Sequence, residues 1–143
     1  MPFLAAITDQ EGRVIAKANS SVVLDTCSSH HAEMNAIPQA EKVFNTYDLA
    51  PHHLKLYATG EPCVMCLGAI MWSGIKEIYW GVPTRVVEEI TGLYEGYKPD
   101  YMEEFKKMGI TVYGNIEAQK GAEIIKQYFT QKWTIYNSSK RDS

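Results

Sequence analysis

Hydrophobic and polar residues alternate in short blocks near the start of the chain. Residues 3–8 are mainly apolar, and residues 13–18 alternate polar with apolar side chains. The DQEG segment between them is typical of a turn in which Gly12 takes a positive φ. This pattern predicts a β-hairpin. Three later segments also have strand-like composition: residues 54–59, 77–82 and 110–113.

Helical patterns lie between and after these strands. Residues 31–45 form one such segment, in which Pro38 predicts a kink because an interior proline removes a backbone hydrogen bond. Residues 63–72 form a second, opened by Pro62, a residue type favoured at the first helical position. The last helix is predicted from apolar residues three and four positions apart: Ala118, Ala122, Ile125, Phe129 and Trp133. The order of elements predicts an α/β fold with a mixed five-stranded sheet covered by helices.

Length and charge narrow the class of protein. The 143 residues fit one domain, expected at residues 1–137 and followed by a polar tail at 138–143. A net charge of −3 disfavours nucleic acid as the main partner, because proteins that bind many phosphates are usually basic. The odd count of three cysteines argues against a disulfide framework. No segment approaches the ~20 apolar residues of a membrane span, so we expect a soluble, cytoplasmic protein with no membrane contact.

Two short motifs contain metal-ligating residues, HAE at 31–33 and PCVMC at 62–66. Cys63 and Cys66 are three positions apart at a helix start, which places both thiols on one face. A helix N-terminus favours thiolates, and a catalytic zinc takes three protein ligands and leaves the fourth position to water. The motifs therefore predict one zinc ion per chain, bound by His31, Cys63 and Cys66 with water as the fourth ligand.

Glu33 follows the predicted histidine ligand by two residues. A carboxylate beside zinc-bound water can accept its proton, and zinc lowers the pKa of that water toward ~7. Such a pair is suited to hydrolytic deamination, in which hydroxide attacks the carbon that carries an amino group and the carboxylate transfers protons. Glu33 is therefore the predicted catalytic residue.

Each motif also has a simpler interpretation. The cysteine pair could be a redox motif of the thioredoxin type, and His31 could be an ordinary core or surface histidine. Glu33 could belong to a helix-capping box, but that box requires Ser or Thr at the position of His30. The motifs together, with a strand before them and a helix after, favour the catalytic zinc site.

The HAE motif together with TGEPCVMC at 59–66 resembles the cytidine and nucleobase deaminase superfamily, whose zinc signature has this form. Within the superfamily, residues 56–81 most resemble bacterial guanine deaminases. The resemblance implies a three-layer cytidine-deaminase-like fold. It also implies hydrolysis of a free nucleobase, with conversion of guanine to xanthine and ammonia as the expected reaction.

The resemblance also implies roles for further residues. Glu95 matches a second acidic residue that helps to move protons, in a loop whose Gly92 and Gly96 predict a mobile lid. Ordinary turn, core-packing or surface roles remain alternatives for the other side chains matched. The residues that match substrate contacts of the family are Phe3, Asn19, Ala32 (through its backbone N–H), Trp72 and Tyr136.

The resemblance also bears on the partners of the protein and on alternative functions. Family members begin with a helix that packs on the sheet, whereas this chain begins close to its first strand, so an uncovered apolar face predicts a homodimer. In some members the C-terminal tyrosine, here Tyr136, comes from a swapped subunit. Ammeline and isocytosine share the amino-bearing edge of guanine and are alternative substrates. A tRNA adenosine deaminase and a non-catalytic zinc-binding assembly module are the alternative functions.

Overall fold

A computed structural model describes residues 2–131 of the chain. Within these residues, one sheet has the strand order β2-β1-β3-β4-β5. Strand β1 is antiparallel to β2 and β3, whereas β3, β4 and β5 are parallel. The predicted hairpin, mixed sheet and parallel crossovers are therefore confirmed. The strands are β1 (Leu4–Thr8), β2 (Val14–Asn19), β3 (Lys55–Gly60), β4 (Glu77–Val82) and β5 (Thr111–Tyr113).

Five α-helices accompany the sheet in the described part of the chain. Helix α1 continues on both sides of Pro38. Trp133, Tyr136 and the predicted tail at 138–143 lie outside the described residues. No helix in the described range is both long and apolar enough to cross a membrane. The helices are α1 (Ala32–Phe44), α2 (Val64–Ser73), α3 (Thr84–Thr91), α4 (Tyr101–Lys107) and α5 (Ala118–Gln131).

The main core lies between the sheet and helices α1 and α2. Helix α1 buries Ala32, Ala36 and Ala40, which recur every four residues and so form one face of the helix. This face packs in the same cluster as Leu56 of β3 and Ile78 of β4. Helices α3 and α5 form a second, smaller cluster toward the ends of the strands, around Val82, Val87 and Ile125. The structure thus has the three-layer architecture of the cytidine-deaminase-like fold.

The opposite face of the sheet is only partly covered by the described residues. Tyr57, Tyr79 and Tyr113 occupy matching positions on β3, β4 and β5. Their rings stack with centroids 4.7 and 4.8 Å apart. Tyr57 and Tyr113 remain 39% and 44% exposed. A groove lined by Tyr57, Tyr79 and Ile124 separates this ladder from helix α5.

The fold brings two helix N-termini together beyond the end of β3. His31 is the N-cap residue of α1, and Cys63 is the N-cap residue of α2. Their side chains meet with 3.6 Å between Cys63 Sγ and His31 Nδ1. Because the partial charge of a helix N-terminus is positive, both ends favour anionic groups at this point. This junction is where the predicted site lies.

Candidate active site

The three predicted metal ligands form one cluster. The Sγ atom of Cys66 lies 3.8 Å from Nδ1 of His31, and the possible ligand atoms of His31, Cys63 and Cys66 all lie within 4.8 Å of one another. Among the described residues this is the group of three or more His, Cys, Asp or Glu side chains that could hold a metal ion. His31 and Cys63 are 32 residues apart in the sequence, and they become neighbours because the N-termini of α1 and α2 meet.

The cluster has the dimensions that a zinc site requires. Zinc bonds of about 2.3 Å to sulfur and about 2.0 Å to nitrogen, at tetrahedral angles, place a sulfur and a nitrogen ligand roughly 3.6 Å apart. The observed sulfur–nitrogen distances of 3.6 and 3.8 Å agree with this value. Cys66 is fully buried, whereas His31 and Cys63 are half-buried and line a cavity. Three soft or borderline donors at these distances fit zinc.

The two thiols differ in acidity. Hydrogen bonding from the Cys66 thiol and from His31 lowers the pKa of Cys63 to about 4, against the opposing effect of burial. The same contact raises the pKa of Cys66, together with burial and the nearby Glu33 carboxylate. Its hydrogen bond to Cys63 raises the pKa of His31. Without a metal, these shifts favour a thiolate at Cys63 beside a protonated His31, and binding of a metal ion would release the protons that remain on the three ligands.

Glu33 lies in the first turn of α1, and its side chain is buried with only 8% exposure. Burial raises the pKa of its carboxyl group, although a hydrogen bond with Cys66 opposes this effect. Such a shift favours the protonated carboxyl group. Glu33 therefore lies beside the metal-ligating cluster, with its carboxyl group withdrawn from water.

A cavity of about 220 Å³ opens onto the cluster. Its wall includes His31, Glu33 and Cys63, together with Phe3 and Ala32 from the predicted substrate contacts. Phe3 is fixed by Phe129 of α5, with ring centroids 6.3 Å apart. Glu95 also lines the cavity. The remaining residues of the wall are Leu4, Ser20, Gly60, Glu61, Val64, Met65, Val87 and Leu93.

Asn19, predicted to contact the substrate, is not part of this wall. It is the last residue of β2 and is exposed, and its carbonyl accepts a hydrogen bond from the side chain of Asn35. The next residue, Ser20, lines the cavity instead and is buried. Neighbouring residues in an extended chain point to opposite sides, so a shift of one position moves a side chain from solvent to the cavity. The buried Ser20 hydroxyl has no hydrogen-bond partner among the described residues.

Trp72 is likewise not brought to the cavity of its own chain. Helix α2 buries Cys66, Leu67 and Ile70 on its inner side, and Trp72 lies on the other side with 82% exposure. It borders a separate apolar groove between α1 and α2 that also includes Ile37. The sequence correctly places Trp72 on the helix that follows the cysteine pair, but its helical position points it outward.

Three side chains that support the site were not identified from the sequence. Glu61, which lines the cavity, accepts hydrogen bonds from the Thr84 backbone N–H at 3.0 Å and from the Tyr101 hydroxyl at 2.7 Å. Asn35 donates to the Asn19 carbonyl and to Ser21 Oγ, which fastens the loop before α1. Asn35 lies one helical turn after His31, and this spacing in the sequence could have identified it as a supporting residue. The third side chain, Lys98, is discussed below.

A profile of the cytidine and deoxycytidylate deaminase zinc-binding region matches residues 1–82. The matched range is more than half of the chain and contains the complete His31, Glu33, Cys63 and Cys66 set. The chain belongs to this family of zinc-binding deaminases. The resemblance of its two motifs to that superfamily is therefore confirmed.

Individual relatives include deaminases with three kinds of substrate, among them a probable cytosine deaminase of Schizosaccharomyces pombe (strain 972 / ATCC 24843) that is 33% identical over 90 residues, covering 63% of this chain and 52% of the relative. Guanine deaminase of Bacillus subtilis (strain 168) is 39% identical over 79 residues, covering 55% of this chain and 49% of the relative. The tRNA-specific adenosine deaminase of Aquifex aeolicus (strain VF5) is 40% identical over 75 residues, covering 52% and 48%. The chain thus spans about half the length of these curated relatives.

Structural similarity extends over most of the chain. The solved guanine deaminase from Nitrosomonas europaea matches with a TM-score of 0.86 at 32% identity, covering 90% of this chain and 73% of that one. The similarity supports both the fold and the resemblance to guanine deaminases.

Proposed function

We propose that the protein is a zinc-dependent aminohydrolase that converts guanine to xanthine and ammonia. The observation that supports this best is that Glu33 and Glu95 share the wall of one cavity with the metal-ligating cluster, whereas the third carboxylate of the wall, Glu61, already accepts hydrogen bonds from Thr84 and Tyr101. One carboxylate transfers protons beside the metal, and the second faces the substrate from the opposite loop. A cavity of about 220 Å³ suits a small planar ligand.

The proposed reaction consumes one water molecule and breaks the bond between the ring carbon and the amino nitrogen. Zinc, when bound by His31, Cys63 and Cys66, lowers the pKa of a coordinated water to about 7 and so supplies hydroxide at neutral pH. Glu33 accepts one proton of the water and passes it to the adjacent ring nitrogen. It then transfers the second proton, from the oxygen newly bound to the carbon, to the departing amino group. The amino group leaves as ammonia, and its place on the carbon is taken by the oxygen of water.

The other wall residues bind the base in this proposal. Phe3 contacts its flat face, the backbone N–H of Ala32 donates to its edge, and Glu95 accepts a proton at the guanine edge. Ser20 takes the place proposed from the sequence for Asn19, because its buried hydroxyl lines the cavity without a partner. A buried polar group left unpaired costs about 1–3 kcal/mol, which a hydrogen bond to the substrate would offset. Tyr136, outside the described residues, is proposed to close the site.

A substrate panel tests the proposal. Protein loaded with zinc is incubated separately with guanine, isocytosine, ammeline and a tRNA that contains an unmodified adenosine in its anticodon loop. We expect ammonia release with guanine at the highest kcat/KM and no inosine in the tRNA. Protein stripped of metal serves as the blank. Inosine formation in tRNA without ammonia release from guanine would contradict the proposal.

A tRNA adenosine deaminase is the second candidate, because tRNA-specific relatives match at the same level of identity as guanine deaminase. The charge of this chain argues against it. The net charge is −3, whereas backbone contacts to several phosphates require a concentration of basic residues. The same panel separates the two functions.

We further propose that the protein is a cytoplasmic homodimer. Two apolar surfaces support an association: the tyrosine ladder on the sheet, and the groove between α1 and α2 beside Trp72 and Tyr47, which are 82% and 88% exposed. Exposed patches of this kind commonly mark interfaces. Gel filtration with light scattering at micromolar concentration is expected to give twice the chain mass of 16.1 kDa. A stable monomer under those conditions would refute the dimer.

A further inference from the structure

The loop that connects α3 to α4 is fastened to the cavity wall at Glu95. The Glu95 backbone N–H donates to Glu88 Oε2 of α3 at 2.9 Å. Its carboxylate forms an ion pair with Lys98, with 3.1 Å between Glu95 Oε2 and Lys98 Nζ. Lys98 Nζ also donates to Thr84 Oγ1 at the start of α3. One contact fixes the backbone of Glu95, and the other connects its carboxylate to the helix.

The Lys98 side chain is unusually enclosed for a lysine. Only 14% of it is exposed, and its partner carboxylate is 19% exposed. Withdrawing an ammonium group from water costs several kcal/mol unless polar groups replace the water. The groups that do so here are Glu95, which lines the cavity, and Thr84, whose backbone N–H donates to the cavity-lining Glu61. A surface pair at the same spacing, Glu104 with Lys107, is 69% and 70% exposed and bears no relation to the cavity.

We propose that Lys98 is a positioning residue that holds the Glu95 carboxylate in the cavity wall by connecting it to Thr84 of α3. This inference rests on the proposed function, since Glu95 acts on the substrate only in that proposal. Lys98 itself is not among the residues that line the cavity. Its effect on the reaction therefore passes through Glu95 and not through contact with the base.

The charges around Glu95 agree with this role. Burial raises the pKa of the Glu95 carboxyl group, and the nearby Cys63 and Glu88 act in the same direction. Lys98 opposes them through its charge and hydrogen bond. Lys98 therefore favours the ionised carboxylate, which is the form that accepts a proton from the base. Removing Lys98 would release the carboxylate and favour its protonation.

Three variants test the proposal: Lys98→Met, Lys98→Arg and the matched control Lys107→Met. We expect Lys98→Met to lower kcat for guanine about 10- to 100-fold with little change in KM, because small displacements of reacting groups have effects of this size. Lys98→Arg keeps the positive charge and is expected to recover most of the activity. Lys107→Met removes an ion pair of the same spacing and is expected to behave as the wild type.

A double-mutant cycle shows whether Lys98 acts through Glu95. In a Glu95→Gln background, Lys98→Met is expected to cause no further loss, since the group that it positions is already changed. An equal loss in both backgrounds would overturn the proposal. So would a Lys98→Met protein with wild-type kcat, or a failure of Lys98→Arg to recover activity when that variant retains zinc and fold.

Amide hydrogen exchange provides a test that needs no turnover. Lys98→Met is expected to speed exchange at the backbone amides of residues 93–98, whereas Lys107→Met is expected to leave their exchange as in the wild type. Unchanged exchange in Lys98→Met would overturn the proposal. If the wild type released no ammonia from guanine, the proposed function would fail, and the exchange comparison would still decide whether Lys98 holds this loop.

Discussion

We expect replacement of Glu33 with glutamine to lower kcat for the proposed release of ammonia from guanine by about 1,000-fold or more, while zinc content stays at one ion per chain. Glutamine keeps the size of the side chain but cannot take up and deliver a proton, and proton transfer of this kind contributes about 10²- to 10⁴-fold. Glu33 is not one of the three clustered ligand residues, so the metal remains bound. Steady-state kinetics with metal analysis on the same sample measures both quantities.

Glu41→Gln is the matched control for this experiment. Glu41 belongs to the same helix, eight residues further on and hence roughly 12 Å along its axis, and it is half-exposed. We expect wild-type kinetics from this variant. Full activity in Glu33→Gln would exclude Glu33 as the proton carrier, and loss of zinc in the same variant would show that Glu33 serves the metal site.

We expect replacement of Cys63 with alanine to remove zinc from the protein and to abolish the proposed release of ammonia. A metal site with three protein ligands loses most of its affinity when one thiolate is lost, and the remaining pair of His31 and Cys66 provides only two donors. The wild type is expected to gain thermal stability when zinc is added, because a ligand of the folded state stabilises it. Cys63→Ala is expected to show no such gain. Metal analysis and thermal unfolding with and without zinc measure the effect.

Cys27→Ala is the comparison for this second experiment. Cys27 is a free, half-buried cysteine whose Sγ contacts Ser29 Oγ at 3.4 Å, outside the metal-ligating cluster. Its replacement is expected to leave one zinc per chain and normal turnover. Zinc retained at one ion per chain in Cys63→Ala would show that the metal lies elsewhere.

The sequence predicted the metal-ligating cluster because its information is local. His31 and Glu33 are two residues apart, Cys63 and Cys66 are three apart, and each pair needs only one helix start to be oriented. The hairpin and the parallel strands were also predicted, since their apolar runs are separated by clear turn or helix signals. These features depend on a few neighbouring residues. They do not depend on contacts with distant parts of the chain.

Features that depend on side-chain direction or on distant contacts were not predicted. Trp72 and Asn19 lie on the predicted elements, but neither is among the residues that line the cavity. Helix α3 contains two adjacent valines and two threonines, which favour strands, and its burial comes from packing against α5. The ion pair of Lys98 with Glu95 depends on the path of a loop, for which a single sequence carries no periodic signal.

The charges of the residues in the cavity wall affect how readily the product of the proposed reaction leaves. Among the described residues, the lining of the cavity contains the acidic residues Glu33, Glu61 and Glu95 and no lysine or arginine, and Lys98 outside the lining pairs with Glu95. Zinc with two thiolates would be formally neutral and Lys98 offsets the charge of Glu95, so negative charge on the wall would come from Glu61 and from Glu33 when it is ionised. Such a wall accepts an uncharged base and disfavours anions. Xanthine loses a proton more readily than guanine does, so the proposed reaction turns a tolerated occupant into one that the wall repels, and departure of the product is favoured.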